Sequence, residues 1–410
     1  MTGKKRNCAS KIEQLLALFP AVAIIGARQT GKTTIAKQLC PEWAYKDLQY
    51  PDNFDQITHD PGFFFQQHPK HVILDEAQLH PPIFDILRHV IDENRSQTGR
   101  FLITGSSSPE LLSGLTESLA GRIAIVHISP FKMNEYYNQP LSPFYEGFKT
   151  KLDATHFEKL TPQLTTAQLT HLFLKGGYPE PLLNSNPIFF GVWQENYIQS
   201  YIHRDISALF PKLNLVAFRR FISTLSTLSG TIINKSELAR AIEVDEKTIR
   251  TYLEIAEGTF VWKNLQSFER NSLKSVIKMP KGYFRDAGIH HFLQKIQTEE
   301  ELFSHPHIGN SFESFVIEEI LRGLESTFIT NWDSYYYRTR SGAEVDLILE
   351  GPFGLLPIEI KYGSTTQRSK LIALTQFIKH HNLKFGLLIN QSQKVEWITP
   401  EILQVPATCL

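Results

Sequence analysis

Short apolar runs at residues 21–25, 71–74, 101–104 and 123–128 alternate with longer helical or polar stretches between residues 12 and 130. That alternation predicts an α/β fold, a parallel sheet covered by helices. From residue 158 to 209 the apolar spacing becomes helical, broken at Gly176-Gly177-Tyr178-Pro179, which predicts a turn between helices. Residues 236–242 and 246–255 are two short amphipathic helices joined by Glu243-Val244-Asp245, the spacing of a helix-turn-helix. Strand-like runs at 259–265 and 276–284, separated by the polar stretch 269–274, follow as a wing would. After residue 298 come a helix (311–324), three strand-like runs (335–339, 344–349, 355–361), a helix (369–380) and a final strand (385–388), another α/β unit. The pattern therefore predicts four parts: an α/β domain at 1–155, a helical linker or lid at 156–209, a winged helix-turn-helix at 210–297 and a second α/β domain at 298–410.

Composition narrows the classes of function. Lys plus Arg total 42 and Asp plus Glu total 42, so no strongly basic overall field captures nucleic acid, and any such contact is local. Cys8, Cys40 and Cys409 are scattered without paired spacing, which excludes a disulfide framework and a cysteine zinc site and fits a reducing, cytoplasmic setting. The stretch 15–25 is interrupted by Pro20 and reads as a helix end and a strand rather than a signal peptide. No run approaches the roughly 18–20 apolar residues of a membrane span, so a soluble protein with no membrane partner is expected.

Gly26-Ala27-Arg28-Gln29-Thr30-Gly31-Lys32-Thr33 matches G-x-x-x-x-G-K-[ST] in full, between a predicted strand and a predicted helix. Glycines let the backbone curl so that successive N–H groups and the helix N-terminus face phosphates. Lys32 is expected to reach the β- and γ-phosphates of ATP and Thr33 to ligate Mg²⁺, with Thr34 completing the nucleotide-contacting run. Val72-Ile73-Leu74-Asp75-Glu76 is an apolar run ending in acids, with Asp75 expected at the Mg²⁺ shell and Glu76 at the attacking water. In Ile103-Thr104-Gly105-Ser106, Ser106 is expected to sense the γ-phosphate or orient the attacking water, with Thr104 the second choice, or else to be a turn serine. Arg122 neutralises transition-state charge, in cis or for a neighbouring subunit, or else makes a surface salt bridge; Asp47 ends a further strand.

These residues, with Leu74-Asp75-Glu76-Ala77-Gln78, Thr104-Gly105-Ser106-Ser107 and Leu119-Ala120-Gly121-Arg122, resemble the AAA+ (ASCE-class) ATPases of prokaryotes that carry a C-terminal domain of unknown function. The resemblance continues through Tyr201-Ile202-His203-Arg204-Asp205 and Lys281-Gly282-Tyr283-Phe284-Arg285-Asp286-Ala287-Gly288, nearly the whole chain. It implies an additional strand between the phosphate-loop strand and the Asp75 strand, a sheet order of 5-1-4-3-2, and ATP as the nucleotide. It also implies Arg122 as an arginine finger acting across a homo-oligomer, and Arg204 and Asp205 as structural or coupling residues.

Toward the C-terminus, Glu344-Val345-Asp346 and Ile358-Glu359-Ile360-Lys361 lie on two strands of an implied hairpin. With a two-residue period Glu359 and Lys361 share a face, and Asp346 can lie opposite them. Such a set can bind a divalent metal through Asp346 and Glu359 while Lys361 positions water, the chemistry of phosphodiester cleavage. It resembles the PD-(D/E)XK nuclease fold, with Glu313 matching its acidic helix residue, and a paired charge cluster without catalysis is the competing reading. On the candidate recognition helix Lys247, Thr248, Arg250 and Thr251 suit phosphates and base edges, beside Glu246 and Glu254. Tyr335-Tyr336-Tyr337 either stacks on bases or belongs to a core. Two functions follow as expectations: an ATPase driving a nuclease-like half on DNA, or an ATP-controlled switch whose C-terminal half binds DNA or protein without cutting.

Overall fold

Six consecutive uncharged residues stay buried on both faces only inside a covered sheet, and Ala21–Gly26 (β1) lies there in the computed structural model, between two parallel neighbours. The structure describes residues 3–106, 115, 117–268 and 279–410. They divide into two compact units, Met1–Phe131 with Gly258–Phe260, and Lys132–Glu257 with Val261–Leu410.

The first unit is a five-stranded parallel sheet of β1, β2 (Ala44–Asp47), β3 (Val72–Asp75), β4 (Phe101–Ser106) and β5 (Ile123–His127), in the order β2-β3-β4-β1-β5. Read from the other edge this is the 5-1-4-3-2 order that the family resemblance implies, and β2 is the additional strand. Helices α1 (Ala9–Leu18), α2 (Lys32–Leu39), α3 (Pro51–His59), α4 (Pro61–Gln67) and α5 (Ile83–Asp92) supply the cover. Val22 and Ile24 pack with Ile12, Leu16, Ile35 and Ala36 from α1 and α2. Ala21, Ala23 and Ile25 pack with Ile83, Phe84, Leu87 and Ile91 of α5, whose spacing gives one apolar face. Burying each of those large side chains contributes roughly 1.5–3 kcal/mol. Register pairs Gly26 with Ser106 and Asp47 with Asp75, so the C-terminal ends of four strands line one edge.

The second unit is built on a mixed nine-stranded sheet. Its strands are β6 (Thr231–Ile232), β7 (Trp262–Ser267), β8 (Lys281–Phe284), β9 (Asp333–Arg338), β10 (Glu344–Gly351), β11 (Gly354–Ile360), β12 (Gly386–Asn390), β13 (Glu396–Thr399) and β14 (Ile402–Pro406). Residues 132–155, which the sequence pattern assigns to the first domain, belong here. Within this unit Lys132 Nζ lies 2.8 Å from Glu319 Oε2 and donates to the Tyr145 hydroxyl (3.0 Å) and the Glu319 carbonyl (2.8 Å).

Helices Lys235–Ile242 and Glu246–Gly258 meet across a turn in which Glu243 takes a left-handed conformation (φ 60°), and β8 pairs antiparallel with both β6 and β7. These three strands are not a separate module. Strand β7 also pairs in parallel with β9 (Gln266 with Tyr335, Ser267 with Tyr336), which joins these strands to the C-terminal sheet and satisfies backbone groups that a free edge would leave open. Strands β13 and β14 lie beyond the last strand expected from the sequence. Tyr336 is fully buried, and Tyr335 and Tyr337 pack with Phe268 and Phe377, so this aromatic strand is core.

Two sequence motifs find their role in the same packing. Gly176 (φ 73°) ends the helix Thr166–Lys175, and a Cβ there would overlap Asp286. Asp286 accepts from Gly177 N (2.8 Å) and caps the helix Ala287–Leu293 by accepting from Ile289 N (3.0 Å). Glu318, between Arg285 (3.2 Å) and Arg322 (3.0 Å), overcomes the effect of its burial and is drawn down to about 2. Ser107, the stretch 269–274 and the side chains of Arg204 and Asp205 lie outside the described residues.

Candidate functional site

At the C-terminal edge of the first sheet, the turn from β1 to α2 carries the phosphate loop. A Cβ at Gly26 would overlap the Ile128 carbonyl, and Gly31 (φ 93°) caps α2 in the left-handed region, so both glycines of the motif answer a steric demand. Gln29 is also left-handed (φ 60°), Thr30 Oγ1 ties back to the Ala27 carbonyl (2.9 Å), and Thr34 is exposed on the first turn of α2. Lys32 is buried, its ammonium donating to the carbonyls of Gly26 (3.1 Å) and Ala27 (2.8 Å). The loop is also held from behind. Arg6 donates to the Thr30 carbonyl (2.7 Å) and the Ser129 carbonyl (2.6 Å) and stacks over Phe131.

Asp75 is 2% exposed, and three hydroxyls donate to it: Thr33 (2.8 Å) and Tyr45 (2.5 Å) to Oδ2, and Thr104 to Oδ1. The adjacency of Thr33 and Asp75 is the pairing that a nucleotide-bound Mg²⁺ requires, so the residues present fit Mg-ATP. Burial, then Asp75, pushes the Tyr45 phenol well above its ordinary range, so it remains a donor. Glu76 follows in the left-handed region (φ 54°), a costly conformation for this residue. Its Oε2 accepts from Ser106 Oγ (3.1 Å) and Gln78 Nε2, and the same Nε2 donates to Ser106 Oγ (3.0 Å). Thus Thr104 serves Asp75 and Ser106 serves Glu76.

Nothing in the local sequence marks Arg6 or Tyr45 for the site, and Gln78 is marked only by its place two residues after Glu76. Asp47 accepts from Gln49 N (2.9 Å), a turn-forming bond at the end of β2. Arg122 lies elsewhere. It precedes β5 at the opposite edge of the sheet, where Ile123 pairs with Ala21, about 16 Å of strand from Gly26. Its guanidinium makes a two-toothed pair with Asp92 (2.7 Å each), the surface salt bridge that was its competing expectation.

The second cluster gathers in the second unit. Between Val345 and Ile348 the register of β10 against β9 shifts, and Asp346, at that irregularity, accepts from Ile360 N (2.8 Å). Lys361 Nζ lies 2.5 Å from Glu359 and 3.2 Å from Asp346, as the strand period predicts. A residue unassigned from sequence completes the set. Lys281, from β8, is 4% exposed and lies 2.5 Å from Glu313, 2.6 Å from Glu344 and 3.9 Å from Asp346. Burial works against that ammonium, but Glu313, Asp346 and Glu344 outweigh it and hold it above the lysine range. Burial, then the neighbouring Asp346, pushes Glu313 up to about 8 and Glu359 well above its ordinary value. Among the described residues no group of three or more His, Cys, Asp or Glu is arranged to hold a metal ion, and the expected Asp346–Glu359 metal pair faces ammonium groups instead.

On the helix Glu246–Gly258, Lys247, Arg250 and Thr251 are exposed with Glu254, Thr248 is half-buried, and Arg250 reaches back to Glu246 (3.7 Å). Among the described residues no helix is long and apolar enough to cross a membrane.

Residues 18–137 match the AAA domain, residues 166–300 the domain of unknown function DUF8612 and residues 308–410 the domain of unknown function DUF4143. Uncharacterized proteins of Mycobacterium bovis and Mycobacterium tuberculosis are each 29% identical over 373 residues, covering 90% of this chain and 76% of theirs. Among solved structures, the Walker-type ATPase PABY2304 of Pyrococcus abyssi is similar at 14% identity and a TM-score of 0.41, over 70% of this chain and 95% of its own. AMPPCP-bound DnaA from Aquifex aeolicus follows at 14% identity and 0.32, over 61% and 85%. The phosphate loop, the acid pair and the five-stranded order thus belong to an AAA-family P-loop ATPase domain, and this chain carries it ahead of two domains of unknown function.

Proposed function

We propose that the chain is an Mg-ATP-hydrolysing switch whose second unit engages DNA without cutting it in the arrangement described here. The observation that carries the ATPase half is the pairing of Thr33 with Asp75 beside a Glu76 held by Ser106 and Gln78. Lys32 exchanges the Gly26 and Ala27 carbonyls for β- and γ-phosphate oxygens, while the loop and α2 N–H groups face the same phosphates. Thr33 and Asp75 would hold Mg²⁺, which when bound would neutralise phosphate charge. Glu76 orients the attacking water and accepts its proton, and Ser106 and Gln78 hold that carboxylate. Arg122, remote from its own phosphate loop, serves a neighbouring subunit's nucleotide when it leaves Asp92.

Binding rather than cleavage is favoured by the C-terminal carboxylates, which face two ammonium groups. Exposed Lys247, Arg250 and Thr251 give the helix-turn-helix a surface suited to phosphate contact. The test is phosphate release from Mg-ATP with no DNA, single-stranded DNA and double-stranded DNA. Stimulation by either DNA that Lys247→Ala/Arg250→Ala weakens supports the reading. An unchanged rate together with no DNA binding at low salt overturns it, and cutting by the unaltered chain in Mn²⁺ restores the nuclease alternative.

A further inference from the structure

Tyr45 stands at the catalytic edge without a part in the phosphate chemistry above. It is half-buried on β2, opposite Ile73 in parallel register, while Leu74 faces Ile103. With a two-residue period Tyr45, Asp75 and Thr104 therefore share one side of the sheet, the side that α2 covers. On α2, Thr33 and Lys37 are one helical turn apart and share a face. That face presents the Thr33 hydroxyl to Asp75 and lays the Lys37 ammonium over the Tyr45 ring, 3.6 Å from its centre. The ring is thus seated by α2, and its hydroxyl donates to Asp75 Oδ2 at 2.5 Å. A carboxylate has about four lone-pair sites. Among the described residues Thr33 and Tyr45 take both on Oδ2, and Thr104 takes one on Oδ1.

We propose that Tyr45 is a positioning residue that sets the metal preference of the nucleotide site, holding Asp75 for an ion that keeps its water and against one that takes the carboxylate directly. This rests on the Mg-ATP reading above and names what selects the ion. With a hydroxyl on each oxygen, Asp75 cannot grip an ion through both oxygens without losing a hydrogen bond. The lone pair left on Oδ1 suits one hydrogen bond from an ion's hydration water. Mg²⁺ demands near-octahedral geometry, dehydrates reluctantly and keeps several waters, whereas Ca²⁺ takes about 6–8 oxygens and accepts carboxylates through one oxygen or both. Only Ca²⁺ gains from a carboxylate that can turn. Taking away the Tyr45 hydroxyl empties one site on Oδ2, and because Asp75 is buried no bulk water takes its place. The oxygen so released is then open to Ca²⁺.

The test uses the full chain with a non-hydrolysable ATP analogue. Tyr45→Phe removes the hydroxyl and keeps the ring against Lys37; Tyr45→Met stands in for it if the phenylalanine variant does not fold, as melting temperature shows. Electron paramagnetic resonance follows Mn²⁺ bound to the chain and analogue, and Mg²⁺ or Ca²⁺ is added to displace it. The analogue's own affinity for each ion is common to all chains and cancels in the comparison. A hydrogen bond to a charged group is worth about tenfold in an equilibrium constant at the lower end of its range. The concentration of Ca²⁺ needed, relative to that of Mg²⁺, should therefore fall about tenfold in Tyr45→Phe, while affinity for the analogue in EDTA stays the same. An unchanged ratio in the folded variants overturns the proposal, as does an equal loss of analogue affinity in EDTA, which would place Tyr45's effect on the loop and not on the ion. If the unaltered chain binds no analogue in Mn²⁺, the Mg-ATP reading falls and this proposal with it; if it binds the analogue and only the ratio fails to move, this proposal falls alone.

Discussion

Removing Ser106 or Gln78 should cost turnover rather than nucleotide affinity. Both side chains donate to one oxygen of Glu76, Ser106 at 3.1 Å, and they are bonded to each other at 3.0 Å. A hydrogen bond to a charged group contributes about 1.5–3 kcal/mol, and the half-buried setting of this carboxylate favours the lower figure. About 1.5 kcal/mol is roughly tenfold in rate. Ser106→Ala and Gln78→Ala should therefore each lower kcat about tenfold with KM for ATP nearly unchanged. Their shared acceptor makes the double variant fall by less than the hundredfold product. Glu76→Gln sets the scale, with a loss of about 10²–10⁴ expected for a positioned base. Steady-state phosphate release at saturating Mg-ATP measures kcat, and a fluorescent ATP analogue measures binding. Two single variants with unaltered kcat, or losses confined to KM, would refute the idea that these donors hold Glu76.

Two further outcomes concern stability of the second unit. Lys132 and Glu319 are both 2% exposed and 2.8 Å apart, so Lys132→Met, by leaving a buried carboxylate alone, should destabilise by about 3–5 kcal/mol, whereas Lys132→Met/Glu319→Leu should recover much of that in denaturant titration. Retained stability in the single variant would contradict the pairing. His290 and His291 are buried, and burial lowers them from 6.5 to about 4 and about 3. Lowered histidines contribute stability that is present above pH 6.5 and lost as pH falls toward those values, on the order of 3 kcal/mol each by pH 4. Denaturation midpoints between pH 7.5 and 4.5 should fall steeply, and His290→Gln/His291→Gln should flatten the slope; equal slopes would refute it.

The comparison of sequence with structure separates by the range of the forces involved. The phosphate loop was legible from sequence because its chemistry is local: Gly31, Lys32 and Thr33 act through backbone conformations and a helix N-terminus set within a few residues. Strand edges were legible too, since buried parallel strands are continuous apolar runs, and Asp75-Glu76 ends one of them. The two-residue period likewise placed Glu359 and Lys361 together. Tertiary structure alone decided the rest. Which hydroxyls reach Asp75, and that Tyr45 is one of them, depends on register between β2, β3 and β4. That Arg122 stands at the far edge from Gly26 depends on strand direction, and the union of β6, β7 and β8 with the C-terminal sheet depends on the β7–β9 pairing. Lys281 is the sharpest case: nothing near it in sequence marks a partner, and its carboxylates lie 32 to 65 positions on, as Glu313 and Asp346 show. Local chemistry is written in short motifs, but the charge that meets a buried carboxylate comes from whichever strand the fold lays beside it.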